Sequence, residues 1–290
     1  DPALLVIDSV QTLASAEVEG SAGGVTQVRE VAASVIAAAK ERNMCTLLVG
    51  HVTKGGGIAG PKTLEHIVDT VLYFESAGGL DNRVLRATKN RFGGVDEIGV
   101  FRMTAAGLAP VANPSELFLG ERSGSASGSA VVATMEGTRP LLVEVQALAA
   151  KAAYGAPQRV STGIDQKRLA LLLAVLEKRA GLSFGQLDVF LNVVGGLRLA
   201  ETAGDVAVAV ALASSVFDRP APADAVFIGE LGLGGEIRPV GQVERRMAEA
   251  ARMGFRKAFL SPRAVPQSIP SGITAVPAED VRALVGAIFG

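Results

Sequence analysis

The chain has 290 residues, enough for two domains, and 49% of them are apolar while only 4% are aromatic and none is Trp. Ala, Val, Leu and Gly dominate, which suits α/β layers with close helix–strand packing. A formal net charge of −1 excludes a global polycation, so any nucleic-acid contact must come from local patches. The single Cys45 excludes a disulfide framework, points to a cytosolic compartment and, lying in an apolar run, predicts a small buried hydrophobe. Residues 206–217, the longest apolar run, are too few to span a bilayer and are followed at once by Asp218 and Arg219, so no membrane association is expected.

Residues 3–7 (ALLVI) are a continuous apolar run ending at Asp8-Ser9, the pattern of a central parallel strand with an acid at its carboxyl end. Ligands gather at such ends in open α/β sheets, although an Asp there can also simply end the strand. Residues 14–24 are small, polar and Gly-rich and predict a mobile loop; residues 25–42 repeat Val at helical spacing. Residues 44–49 predict a second buried strand, ending at Gly50-His51. Residues 53–61 (TKGGGIAGP) cannot be regular structure, and Lys54 and Lys62 bracket them. Gly55, Gly56 and Gly57 expose backbone N–H groups and lysines neutralise phosphates, so the loop is either plain surface or a nucleic-acid contact. Residues 61–68 predict a short helix with Pro61 in its first turn, and residues 70–75 a strand.

Residues 83–88 and 97–104 have strand character and flank Lys89-Asn90-Arg91-Phe92-Gly93. Lys89 and Arg91 are two apart, so on a strand they share a face at the end of a hairpin. A point charge and a planar fork together suit a tri-anion such as a γ-phosphate; a solvated basic turn is the plainer alternative.

Residues 113–129 predict a linker, since SGSASGS is Ser/Gly-rich, and the pattern then restarts. Strands are predicted at 130–135, 140–146 and 188–194, a Gly-rich strand pair at 225–240, and a strand around Phe259-Leu260. Helices are predicted at 166–179 after an Asp165 cap, at 202–216, at 242–253 closed by Gly254, and at 277–288 with Glu279 and Asp280 in the first turn. This makes an α+β-like domain of ordinary size.

KNRFG resembles the signature pentapeptide of the bacterial RadA (Sms) family of DNA repair and recombination ATPases. LLVIDSVQ, then LLVGHVTKGGGIAGPKTLEHIVDTVLYFE, then the hairpin follow the order of the second half of a RecA/DnaB-type motor. The resemblance implies an α/β fold: residues 1–112 as the C-terminal part of a RecA-like ATPase core, 113–129 as a linker, and 130–290 as a Lon-protease-like domain. It implies a hexameric ring that uses ATP and Mg²⁺ to move on single-stranded and branched DNA, with a RecA-type recombinase as partner. Asp8 becomes the Walker B acid, holding Mg²⁺ through its water shell. His51 becomes the γ-phosphate sensor, the 54–62 loop a pore-facing DNA contact, and Lys89 and Arg91 cations acting on a neighbour's nucleotide. No G-x-x-x-x-G-K-S/T phosphate loop and no cluster of four Cys occurs in the sequence, whereas the family carries a zinc-binding segment. A C-terminal portion of a longer protein, inactive alone, is therefore expected.

ETAGDVAVAVALASS and GELGLGGEIRPVGQVERR resemble the two active-site stretches of Lon, and put Ala203 at the serine position and Glu244 at the lysine position. A Ser–Lys dyad needs a hydroxyl that attacks and a neutral amine that takes its proton, and Ala and Glu supply neither. A peptidase is thus disfavoured, and a non-enzymatic DNA-binding or oligomerisation module is the alternative to the motor.

Overall fold

A computed structural model describes residues 2–51, 64–76, 81–95, 98–119, 126–152 and 155–290. The chain divides into two units, residues 1–73 with 87–95 and residues 74–86 with 96–290. The architecture is α/β, as composition and pattern predict.

In the first unit, β1 (Leu4–Asp8) and β2 (Cys45–Val49) pair in parallel, with Leu4 opposite Cys45 and Asp8 opposite Val49. The crossover between them is α1 (Val25–Glu41), whose Val28 and Val31 pack on Val10. The loop before α1 differs from the mobile stretch predicted. Gln27 is 2% exposed, and its amide accepts from Ser15 N–H and donates to the carbonyls of Ser15, Val18 and Gly20. One buried amide thereby satisfies loop backbone that water would otherwise serve. Cys45 is exposed, not buried, because the β1–β2 sheet leaves one face open. On that face Leu4, Val6 and Leu47 are each about half exposed. Of the helix predicted at 61–68, the described residues form a single turn closed by Ile67 N–H and Val68 N–H on the Leu64 carbonyl.

β3 (Thr70–Ser76), β4 (Asn82–Asn90), β5 (Ile98–Thr104) and β6 (Gly107–Pro110) follow in sheet order. β4 runs two residues further than predicted, so Lys89 lies within the strand and Arg91 begins the turn. β4 and β5 pair antiparallel from Asn82–Arg102 to Arg86–Ile98.

In the second unit the main sheet has seven strands: β7 (Ser129–Glu136), β8 (Arg139–Lys151), β9 (Arg159–Thr162), β10 (Leu187–Val193), β11 (Ala225–Phe227), β14 (Lys257–Leu260) and β15 (Thr274–Pro277). Their order is β15-β14-β11-β7-β8-β10-β9, and only the β7–β8 and β8–β10 pairs are antiparallel. Short β12 (Glu230–Leu231) and β13 (Ile237–Arg238) pair separately.

β7 is apolar without alternation because both its faces are covered. Ala130 and Val132 enter one core with α3 (Gln166–Val175), α4 (Asp205–Phe217) and α6 (Val281–Phe289). Val131 and Ala133 enter another with α5 (Val243–Arg252). Residues 205–214 of α4 are all buried, whereas α3 leaves Ala170 and Ala174 exposed, so it is not buried all round. Asp165 caps α3 through Lys167 N–H and Arg168 N–H. Asp280 lies outside α6 and caps it through Ala283 N–H, where the first turn was predicted. Residues 114–119, inside the predicted linker, form α2 (Pro114–Leu119), and Phe118 is fully buried in the second unit's core.

Candidate functional site

The parallel β1–β2 pairing brings two carboxyl-terminal strand ends to one edge. Asp8 is the last residue of β1, and Gly50-His51 follow β2 directly. Gln11 Nε2 donates to the His51 carbonyl at 3.3 Å, tying the segment after β1 to the segment after β2. Asp8 and His51 are exposed. Among the described residues no three His, Cys, Asp or Glu side chains gather around a metal position. A lone exposed carboxylate at a strand end fits Mg²⁺, which keeps several waters and takes one or two carboxylates beside substrate phosphates, and not an all-protein cage.

Lys89 and Arg91 are both engaged with the segment that precedes β3. Lys89 Nζ donates to the Glu65 carbonyl at 2.7 Å and to the His66 carbonyl at 3.5 Å. Arg91 NH1 reaches Asp69 Oδ1 at 3.0 Å, and the Arg91 N–H donates to the Asp69 carbonyl, also at 3.0 Å. Between them Asn90 builds the turn. Its Oδ1 accepts from Thr70 Oγ1 and from Phe92 N–H, and its Nδ2 donates to the Gly94 carbonyl. A side chain at Gly93 would stand 3.3 Å from Asn90 Nδ2, so the turn is tight there. Phe92 is 82% exposed. No hydrogen bond or ion pair among the described residues links Asp8 or His51 to Lys89 or Arg91. Lys54, Gly55, Gly56, Gly57 and Lys62 lie outside the described residues.

A cleft of about 760 Å³ in the first unit is walled by Thr46, Leu48, Leu72 and Phe92, with Gln11 and Asp69 on its lining. Gln11 Oε1 and Thr46 Oγ1 are buried with no hydrogen-bond partner among the described residues.

In the second unit Ala203 is 1% exposed, and its carbonyl accepts from Gly229 N–H; Glu244 is exposed at the start of α5. The neighbourhood is filled by ion pairs instead. Arg246, 2% exposed, grips Glu201 with NH1 at 2.6 Å and NH2 at 2.7 Å, and donates to the carbonyls of Ala133 and Gly241. Glu201 also accepts from Thr134 Oγ1 and Met135 N–H. Burial pushes the Glu201 carboxyl up, but the bonds from Arg246, Met135 and Thr134 outweigh it and hold the group below its ordinary value. Asp205 pairs with Arg168 and accepts from Leu231 N–H; there burial wins, and the carboxyl lies above its ordinary value. Thr202, the hydroxyl beside Ala203, donates to Glu230 Oε2 at 2.6 Å. Arg86 of β4 meets the buried Glu136 at the end of β7 at 2.5 Å.

Sequence reasoning missed Arg246, although a signal existed. It shares the stripe of Val243, Met247 and Ala250 on α5, and a charge on an apolar stripe demands a buried partner. Nothing in the sequence pointed to Glu201, or to Asp69 and Asn90 as the residues that hold the basic turn.

Residues 137–264 match the family profile described as "ChlI: Subunit ChlI of Mg-chelatase". The chain is 52% identical over 273 residues to the DNA repair protein RadA of Streptococcus pneumoniae (strain ATCC BAA-255 / R6), covering 94% of this chain and 64% of that protein. It is 49% identical over 289 residues to DNA repair protein RadA of Streptococcus pyogenes serotype M1, covering 99% and 64%. It is 53% identical over 257 residues to DNA repair protein RadA of Brucella abortus (strain 2308), covering 89% and 55%. The chain thus spans somewhat less than two thirds of the length of these curated relatives. Among the described residues no helix is long and apolar enough to cross a membrane.

Proposed function

The chain is a homologue of the RadA DNA repair proteins along most of its length, and from that premise we propose that it forms part of a cytoplasmic, ATP-dependent DNA motor of repair and recombination. The observation that carries this best is the parallel β1–β2 pairing, which sets Asp8 and His51 on one carboxyl-terminal sheet edge. In this proposal Asp8 would hold Mg²⁺ through its water shell, and the ion, when bound with ATP, would supply charge neutralisation at the phosphates. His51 senses the γ-phosphate from the neighbouring strand end. Arg91, with Lys89 beside it, meets the nucleotide of an adjacent subunit in a hexameric ring. Lys54, Gly55, Gly56, Gly57 and Lys62 contact the backbone of single-stranded or branched DNA, and a RecA-type recombinase is the partner. Residues 130–290 serve as a peptidase-inactive, Lon-like scaffold, with Ala203 and Glu244 at the dyad positions.

No phosphate-loop motif occurs in these 290 residues, and in this proposal the remaining length of the full protein supplies the phosphate-binding parts. The cleft beside β2 and the half-exposed Leu4, Val6 and Leu47 are surfaces which that length would cover. DNA-stimulated ATP hydrolysis by the full-length protein, and none by these 290 residues, is the expected outcome. Asp8→Ala in the full-length protein is expected to abolish turnover while leaving DNA binding in place. Full-length protein that binds DNA and forms rings with no ATP hydrolysis would select the non-enzymatic module instead.

A further inference from the structure

We propose that Asp69 is a positioning residue for Arg91: it holds the guanidinium by one edge and leaves the other edge free for an anion. This rests on the proposed role of Arg91 as a cation acting on the γ-phosphate. Asp69 immediately precedes β3 and Arg91 immediately follows β4, and these strands are neighbours in one sheet, so their pairing delivers the two residues to each other. The contact is double. The Arg91 N–H donates to the Asp69 carbonyl at 3.0 Å, and Arg91 NH1 donates to Asp69 Oδ1 at 3.0 Å.

The backbone on either side is already fixed. Asn90 Oδ1 takes the Phe92 N–H and the Thr70 hydroxyl, and Asn90 Nδ2 closes the turn on Gly94. What remains free is the long Arg91 side chain, 71% exposed. Among the described residues only NH1 is engaged, which leaves the Nε–NH2 edge open to them, and this is an edge that can take two oxygens of a phosphate. An arginine with its rotamer already chosen loses less freedom when it meets the phosphate, and the gain is in turnover, not in fold. As an exposed ion pair, Asp69–Arg91 adds little to stability, so a purely structural role predicts almost no effect from its loss.

The test uses the full-length protein and steady-state ATP hydrolysis with single-stranded DNA. Asp69→Ala is expected to lower kcat about threefold to tenfold, the range for one long side chain left unordered, with the KM for ATP and the DNA affinity within about twofold. Asp69→Asn keeps an oxygen in the same place and is expected to stay within about twofold of the parent. Asp69→Glu keeps the charge and shifts it by a methylene, and should lose kcat although an ion pair can still form. On an Arg91→Ala background, Asp69→Ala should cost nothing more. Melting temperatures of all variants should lie close to that of the parent. Unchanged kcat in both Asp69→Ala and Asp69→Glu, with Arg91→Ala inactive, overturns the positioning role and leaves the role of Arg91 standing. Normal turnover by Arg91→Ala overturns both.

Discussion

Arg246 and Glu201, 45 residues apart, form a two-pronged ion pair in which the arginine is almost wholly buried and, among the described residues, its bonds end on Glu201 or on backbone carbonyls. Removing one partner strands the other's charge. Arg246→Ala is expected to destabilise the second unit by about 3–5 kcal/mol, and Glu201→Ala by a comparable amount, because each leaves an uncompensated charge. Arg246→Ala combined with Glu201→Ala should cost clearly less than the sum, since no orphan charge remains. Urea unfolding of the four proteins measures this. Strict additivity would show that the two side chains act independently.

Glu136 titrates in the opposite sense to Glu201. Burial raises its carboxyl above the ordinary value despite the lowering pull of Arg86, and the Glu201 charge pushes the same way as burial. A raised folded value means that the folded state holds the proton more tightly than the unfolded state. The contribution of Glu136 is therefore present at acid pH and lost as pH rises from the ordinary carboxylate value through the raised one. Glu201, held low, contributes stability above the ordinary value that is lost as pH falls through its folded value. Glu136→Gln removes the first effect only. Its stability relative to the parent should improve as pH rises above the ordinary carboxylate value and level off once Glu136 is ionised in the folded parent, as read in a denaturation series over pH. A difference that stays constant over that series rules out Glu136 as a contributor to the pH dependence.

Phe118 distinguishes a linker from a core element. It lies on α2, in a stretch whose neighbours are Ser/Gly-rich, yet its ring is fully buried, and a side chain added at Gly195 would collide with it. Phe118→Ala is expected to cost about 3–5 kcal/mol in chemical denaturation, as for any large core truncation. A change below about 0.5 kcal/mol, the usual scale for exposed positions, would return the segment to the role of a tether.

The elements legible in the sequence were those whose pattern is locally complete. The run before Asp8, the all-apolar face of α4 and the Asp165 cap each state their structure within one or two turns of chain. β6, β9 and β15 escaped because four residues carry no period, and their pairing is decided by neighbours distant in sequence. Cys45 was misjudged for a related reason. An apolar strand reads as buried on both faces, but β2 pairs only with β1 among the described residues, and one face is left open. At the candidate site the strand-end residues Asp8 and His51 were visible as types in a pattern. Asp69, which meets Arg91 only because β3 and β4 pair, was not.

Action of Arg91 across a subunit interface can be tested with two variants that both lie within this chain. Arg91→Ala is expected to lower turnover of the full-length protein by about a thousandfold or more, the scale of an arginine acting on a γ-phosphate, while sparing fold and most DNA binding. Asp8→Ala should also be inactive, through a different defect in the subunit that holds the nucleotide. If Arg91 serves the neighbour's nucleotide, a ring mixed from the two variants contains interfaces where an intact Asp8 faces an intact Arg91. Random mixing in equal amounts gives about a quarter of interfaces of that kind in a cyclic ring, and activity should reappear with a maximum near equal proportions. If Arg91 serves its own subunit's nucleotide, every subunit in every ring lacks one of the two groups and no mixture regains activity. Subunit exchange has to be demonstrated in the same samples, for example by co-purification of one tagged variant with the other. Mixed rings that stay inactive at all ratios would place Arg91 in its own subunit's site.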